Sequence, residues 1–385
     1  MFLLVLGVVL ASMHLYVWAR LVKDTTRAGR VRWVGSAIVV ALALLLIATL
    51  ASPGLVDPVI AWPGYLWFAL VAYLFLVLLV LEPLRWVLRR RIRPRAAPEV
   101  PSSAESDAVN RRLFLARASA VAAGAVSVGV VGVGATTALG PPNVLRVPVQ
   151  LRRLDPALSG FRIAVVSDIH LGPLAGRAHT ERIVRMINET SPDLVAIVGD
   201  LVDGTVAELG PAAEPLRDLH SREGAFFVTG NHEYFVEDTS SWLRELERLG
   251  VQPLRNENTV IRRGSAAFDL AGVNDVAGAS RSDPPDFDRA LRGRDATRPT
   301  VLLAHQPVQV ATAADRGVDL QLSGHTHGGQ MWPFHYAVRA VQPSLAGLSS
   351  VGDTQLYVSR GAGFWGPPVR VGAPPDISVI TLETP

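Results

Sequence analysis

Three uncharged, strongly apolar runs, at residues 2–19, 33–51 and 65–81, restrict what the first part of this chain can fold into. Each is close to the ~20 residues a helix needs to cross a bilayer. Within hydrocarbon no water bonds the backbone, so such runs are confined to helices. A fourth uncharged run, residues 118–140, is richer in Ala, Gly and Val and reads as a weaker span or signal anchor. The competing reading for all four is a buried core helix. A mean hydropathy of +0.28 is high for a purely soluble chain and favours spans.

Arginine placement sets an expected orientation. The loop after the first run carries Arg20, Lys23, Arg27, Arg30 and Arg32. The loop after the third, residues 82–117, carries Arg85, Arg89, Arg90, Arg91, Arg93, Arg95, Arg111, Arg112 and Arg117, whereas residues 52–64 hold no Lys or Arg. The positive-inside rule then puts the first and third loops in the cytoplasm, and everything after about residue 140 outside it. The stretch Asn110-Arg111-Arg112-Leu113-Phe114-Leu115 resembles a twin-arginine export signal, with Asn110 and Ala116 departing from its commoner residues. The plainer reading is that two arginines hold this end in the cytoplasm. No clear Ala-x-Ala site follows, so the segment is expected to remain as an anchor.

The expected organisation is three transmembrane helices in residues 1–92 and a flexible cytoplasmic linker with the twin-arginine-like motif in 93–117. A fourth transmembrane helix or signal anchor follows in 118–140, and a second domain in 144–385. Up to residue 143 there are 14 Lys/Arg against 6 Asp/Glu, and beyond it 23 against 28. The basic balance thus belongs to the membrane half, which argues against a nucleic-acid-binding surface. With no cysteine, disulfides, thiolate metal sites and Cys nucleophiles are excluded.

In the second domain, short apolar runs at 162–167, 194–198, 225–229, 301–304 and 320–323 read as buried strands. Further strands are expected at 259–261, 267–271, 355–359 and 377–382, and helices at 180–189, 212–219 and 241–249. Strands that alternate with helices, with polar groups gathered at one rim, are the α/β habit. The late run of strands without helices points to a second sheet.

Five short motifs follow apolar runs or sit in Gly-bracketed turns. They are Asp168-Ile169-His170, Gly199-Asp200, Gly230-Asn231-His232-Glu233, His305, and Gly324-His325-Thr326-His327. Carboxylate, amide and imidazole donors of this kind bind hard and borderline divalent metals. In extended backbone Asp168 and His170, two residues apart, would face the same way and could chelate one ion, and His325 and His327 again would share an i, i+2 face. Asp200 is suited to bridge two ions, and Asn231 offers a neutral oxygen. Each motif alone is weak; five in order, each after an apolar run, make a chance origin remote. His14, His179, His220 and His335 lack this context, and His179 and His220 read as solvated surface.

The order resembles the calcineurin-like metallophosphoesterase family over roughly residues 160–382, with all five blocks present. Gly324–Gln330 and the closing Arg-Gly-Ala-Gly-Phe…Pro-Pro-Val-Arg segment resemble a branch of bacterial membrane-associated phosphoesterases. The resemblance implies an α/β fold, a two-sheet β-sandwich flanked by helices, here preceded by an all-α transmembrane region. It also implies a first ion on Asp168, His170, Asp200 and His327, and a second on Asp200, Asn231, His305 and His325. His232 would not ligate but would stand over the phosphate, stabilising the transition state and protonating the leaving oxygen. Asp203 or Glu233 would support it, or merely bond within the loops. The ions would be Mn, Zn or Fe, which these donors do not distinguish. A hydroxide between the two ions would attack phosphorus in line.

The expected function is an outward-facing, membrane-anchored phosphodiesterase or pyrophosphatase acting on a lipid or envelope phosphate, with nucleic acid not expected as a partner. The alternatives are a phosphomonoesterase or nucleotidase with the same metals, or a non-enzymatic membrane sensor module. Trp332, Phe334, Phe364 and Trp365 read foremost as core packing, with an apolar lip toward lipid as the second reading.

Overall fold

The computed structural model describes residues 2–51, 58–92, 103–236 and 238–385. The chain divides into two compact units, Met1–Ala135 and Thr136–Pro385. In the first, α1 (Phe2–Trp18) runs into a π-helical turn, Ala19–Lys23, followed by α2 (Arg30–Ala51), α3 (Pro58–Ile92) and α4 (Ser103–Leu139). The four stretches Val5–Lys23, Arg30–Ala51, Val59–Leu88 and Asn110–Leu139 are each long and apolar enough to cross a membrane. Val17, Val71, Leu74, Leu78 and Ala123 pack together within this unit. Arg20 pairs with Asp24 at 3.0 Å and Glu82 at 2.7 Å, and Arg85 reaches Asp24 at 3.0 Å. Two of the arginines that set the expected orientation are therefore matched by acids.

The expected flexible linker differs from what is found. Residues 93–102 lie outside the described residues, as do 52–57 of the charge-free loop, but from Ser103 onward the chain is helical. No Gly or Pro occurs between Ser102 and Ala123, and extending a helix is much cheaper than nucleating one, so the apolar helix continues back through the arginines.

The second unit is built on two mixed six-stranded sheets. Its strands are β1 (Asn143–Gln150), β2 (Phe161–Val166), β3 (Leu194–Val198), β4 (Ala225–Val228), β5 (Val251–Pro253) and β6 (Glu257–Arg263). They continue as β7 (Ala266–Gly272), β8 (Thr300–Leu303), β9 (Leu320–Ser323), β10 (Gly347–Val351), β11 (Thr354–Val358) and β12 (Asp376–Glu383). The helices are α5 (Arg177–Glu189), α6 (Val206–Ala213), α7 (Thr239–Arg248), α8 (Phe287–Ala290), α9 (Val310–Asp315) and α10 (His335–Arg339). The orders are β1-β12-β2-β3-β4-β5 and β10-β11-β9-β8-β7-β6. In the first sheet β2 to β5 run parallel, and β12 lies antiparallel to β2 but parallel to β1.

Alternation along the strands splits each sheet into two apolar faces. Ile163, Val165, Ala196, Val198 and Ile380 meet Phe268, Leu270, Val301, Leu303 and Leu322 in a shared core between the sheets. The opposite face of the first sheet, with Ala164, Val166, Val195 and Ile197, receives Ile183, Ile187, Trp242 and Leu246 from α5 and α7. The opposite face of the second sheet packs Leu302 and Ala304 on Phe287, Ala290 and Ala313. The expected sandwich flanked by helices is the fold. The helix expected at 212–219 instead starts at Val206, capped by a Thr205–Glu208 capping box, and passes at Glu214 into a 3₁₀ segment.

Phe268 is fully buried in the inter-sheet core and meets the Phe161 ring edge-on at 5.2 Å. Phe268→Ala is expected to cost about 3–5 kcal/mol in denaturant unfolding, the usual range for an emptied aromatic site.

Candidate metal centre

Buried strands deliver the site residues to one rim. The chain leaves β2 into Asp168 and His170, β3 into Asp200, β4 into Asn231 and His232, β8 into His305, and β9 into His325 and His327. Backbone bonds tie the first two turns together: Asp168 N donates to Gly199 O at 3.0 Å, and His170 N to Asp200 O at 3.1 Å. Glu233 fixes the neighbouring turns. Its buried carboxylate accepts from the N–H groups of Asp200 (3.0 Å), Leu201 (2.8 Å), Val202 (3.3 Å) and Gly230 (2.6 Å). Of the two roles considered for Glu233, the geometry supplies loop bonding.

The local backbone corrects the expectation of extended ligand pairs. Asp168 (φ 53°), His170 (φ 50°), Asp200 (φ 52°), His325 (φ 71°) and His327 (φ 51°) are all left-handed. Asp and His tolerate that region better than most residues, and such strain gathers at functional sites. His325 and His327 accordingly part company rather than share a face. His327 joins Asp168 and His170, while His325 joins Asp200 and His305, with the ligand atoms of each trio within 4.8 Å of one another. A third grouping within the same distance is His170, Asp200 and His232, so Asp200 stands between the trios. Close approach at the turns needs glycine: a Cβ on Gly230 would come within 2.2 Å of Asp200 Oδ1.

Hydrogen bonds assign the imidazole protons. His170 Nδ1 lies 2.9 Å from Asp203 Oδ1 and His305 Nδ1 lies 2.7 Å from Val198 O, so both Nδ1 atoms donate outward and both Nε2 atoms are turned toward the cluster. Outer partners of this sort orient histidines in metal sites. His305 Nε2 is 3.1 Å from Asp200 Oδ2, yet it is buried without a hydrogen bond, as is Asn231 Oδ1. Two buried orphan atoms beside two buried carboxylates are what divalent cations satisfy, and the His/Asp clusters fit a dinuclear site. His325 is pulled down to about 3, by burial and by the neighbouring His305, and stays a neutral donor at pH 7.

Asp203 is shared. The same Oδ1 that accepts from His170 accepts from His232 Nδ1 at 2.7 Å. Burial opposes ionisation of Asp203, but His170 and His232 outweigh it and hold the carboxyl below its usual range. Burial likewise opposes charge on His232, and Asp200 and Asp203 overcome it and push the imidazole up to about 9. It is therefore an imidazolium at neutral pH.

Sequence reasoning missed Arg370. It is 1% exposed and has no hydrogen-bonded carboxylate partner among the described residues. Its guanidinium donates to the carbonyls of Gly363, His327 (2.9 Å) and Arg360 (2.8 Å), and to His327 Nδ1 at 3.1 Å. Burial lowers it to about 10. A donor at Nδ1 leaves the His327 proton on Nε2, 3.1 Å from His170 Nε2, so loading an ion there must displace a proton. The closing Arg-Gly-Ala-Gly segment was the available signal: a Cβ on Gly361 would lie 2.6 Å from Asp168 Cβ. His179 also differs from expectation, being half-buried and pulled down to about 4 by burial at the start of α5, whereas His220 is exposed.

Fold and rim define an α/β two-sheet domain whose His/Asp clusters fit a dinuclear metal site, in a chain with four membrane-length helices among its described residues. Residues 161–329 match the calcineurin-like phosphoesterase family. The chain is 34% identical over 399 residues to a transmembrane protein with metallophosphoesterase domain from Danio rerio, covering 99% of this chain and 89% of that one. A Bos taurus protein of the same description is 41% identical over 65% of this chain and 59% of its own length. An uncharacterized metallophosphoesterase of Helicobacter pylori is 40% identical over 63% of this chain and 64% of its own. The chain belongs to the calcineurin-like metallophosphoesterase family.

Asp203→Asn is expected to lower the His232 pKa from about 9 toward its ordinary 6.5, read by NMR titration of labelled histidine in metal-free protein. The raised value also means that the stability contributed by protonating His232 is complete below about pH 6.5 and fades as pH rises through about 9, while the share from the lowered Asp203 is lost in acid. An unmoved titration would show that Asp203 does not hold the charge.

Proposed function

We propose that this chain is a membrane-anchored, metal-dependent hydrolase that cleaves a phosphodiester or pyrophosphate bond of an envelope substrate on the extracytoplasmic face. One observation carries the reading: Asp200 stands between two His/Asp trios with the His232 imidazolium alongside. In this reading Asp168, His170, Asp200 and His327 hold one divalent cation, and Asp200, Asn231, His305 and His325 hold the other. When bound, two such cations activate water and draw charge from the phosphoryl oxygens. His170 and His305 turn their Nε2 atoms toward the ions because Asp203 and the Val198 carbonyl accept from their Nδ1 atoms. His232, held by Asp203, presents its Nε2–H to the phosphate and gives that proton to the departing oxygen. Mn, Zn and Fe all suit these donors.

The location rests on the arginine asymmetry of the loops and the twin-arginine-like segment before the fourth apolar stretch. Asp200→Asn is expected to lose bound metal, measured by atomic absorption. It is also expected to lower hydrolysis of bis(4-nitrophenyl) phosphate by more than about 100-fold, the upper range seen when a mere outer partner of a metal ligand is lost. Full activity in that variant would sink the ligand assignment, and a wild-type preference for 4-nitrophenyl phosphate would replace diester by monoester. Protease added to intact cells is expected to digest residues 144–385; their protection would reverse the orientation.

A further inference from the structure

Large aromatic side chains are left in the open on the loops that follow His232 and His327 and on the closing loop. Phe235 is 67% exposed, Trp332 53%, Phe334 58% and Trp365 54%. The Phe235 ring lies 5.0 Å from that of His232, and the Trp365 ring 6.1 Å from it. Gln330 ties the two contributing loops into one rim: its Nε2 donates to Trp365 O at 2.9 Å, and its Oε1 accepts from Trp365 N at 2.9 Å. Trp332 N donates to Val371 O at 3.0 Å and fastens the same loops again. Exposed apolar groups scattered singly need no explanation, but two rings flanking one site histidine, with Trp332 and Phe334 on a loop bonded to the Trp365 loop, mark a binding surface.

Two arguments select the occupant. First, in the hydrolase reading His232 protonates the departing oxygen, which puts the Phe235 and Trp365 rings beside it on the leaving-group side. Second, the loop bearing Trp365 is seated on the last turn of α4: Ala138 packs with Leu174, Ala175 and Phe364, and Arg182 bonds the Leu139 carbonyl at 2.7 Å. Residues 136–139 of that turn belong to the second unit and directly follow the apolar stretch in sequence, so the Trp365 loop packs where the chain enters this unit. Tryptophan is enriched at membrane–water interfaces. Phe364, one of the four aromatics of the suggested lip, is buried in this contact instead.

We infer that the substrate is a membrane lipid phosphoester whose leaving alcohol carries a hydrocarbon tail, gripped by the rim of Phe235, Trp332, Phe334 and Trp365. This rests on the hydrolase reading above. The reaction consumes one water, whose oxygen bonds phosphorus while the bond from phosphorus to the lipid oxygen breaks. The electron pair stays on that lipid oxygen, which takes the His232 proton. Of the two water protons, one returns to His232 and the other leaves with the product phosphate.

The test uses the full chain in lipid nanodiscs, loaded with Mn, and methyl butyl, methyl octyl and methyl dodecyl phosphodiesters, with the released alcohol measured by mass spectrometry. The expected kcat/KM rises at least about tenfold from butyl to dodecyl, a fraction of what full burial of the added methylenes gives. Phe235→Ala and Trp365→Ala are expected to flatten that ratio. A flat profile in wild type overturns the inference and leaves the hydrolase reading intact, and a preference for a dinucleotide over the dodecyl ester overturns it in favour of a stacked base. Failure to cleave any diester or 4-nitrophenyl phosphate, with metal bound, sinks the hydrolase reading and this inference with it. Because the chain has no cysteine, Phe334→Cys carrying an environment-sensitive dye gives a readout independent of turnover. Quenching by doxyl-labelled lipid is expected, and a dye unaffected by the lipid overturns the placement of the rim.

Discussion

The Glu233 carboxylate is the tie on which the rim depends. Four N–H groups from two separate turns converge on it, those of Asp200, Leu201 and Val202 after β3 and that of Gly230 after β4. Without such acceptors these buried donors would cost roughly 1–3 kcal/mol each. The arrangement has its own tension, since burial and the nearby Asp200 push Glu233 up to about 7. The donors act the other way and favour its ionised form. Asp200 and His232 therefore inherit their separation from a residue that reaches neither the metals nor the substrate in the proposed reaction.

Strain is concentrated in the same turns. Five of the eight sequence-derived site residues have positive φ, a conformation that costs of order 1–3 kcal/mol at each non-glycine position. The surroundings that hold them are rigid: parallel β2 and β3, whose side chains are buried on both faces, and glycines that permit approach closer than any Cβ allows. A reading based on strand periodicity assigns extended geometry to Asp-x-His and His-x-His. It cannot see the reversal that sends His325 to one trio and His327 to the other.

Other parts of the molecule were legible for identifiable reasons. β2, β3, β4, β8 and β9 are short apolar runs, each ending in a polar motif, and their positions follow from the residues alone. β1, β5 and β10 escaped. β1 alternates but carries Pro148, acceptable because it lies at a sheet edge; β5 is three residues long; β10 is small and polar. Arg370 was hidden because an arginine in a Pro/Gly-rich segment looks solvated, and only tertiary packing surrounds it with carbonyls. The aromatic lip was half legible: composition flagged four rings, but which one would be buried depended on the last turn of α4.

The place of β12 has a consequence for how the protein is made. This strand, near the C-terminus, lies between β1 and β2, and among the described residues it is the only sheet neighbour of β1. Folding during synthesis normally completes N-terminal parts first. Here β1 must wait for a partner translated about 230 residues later, Asn143 pairing with Asp376. A ribosome that stalls before β12 leaves β2 with one bare edge and β1 with no sheet at all. Only a chain synthesised past Glu383 can present its metal loops on a finished sheet, which ties assembly of the site to the making of β12.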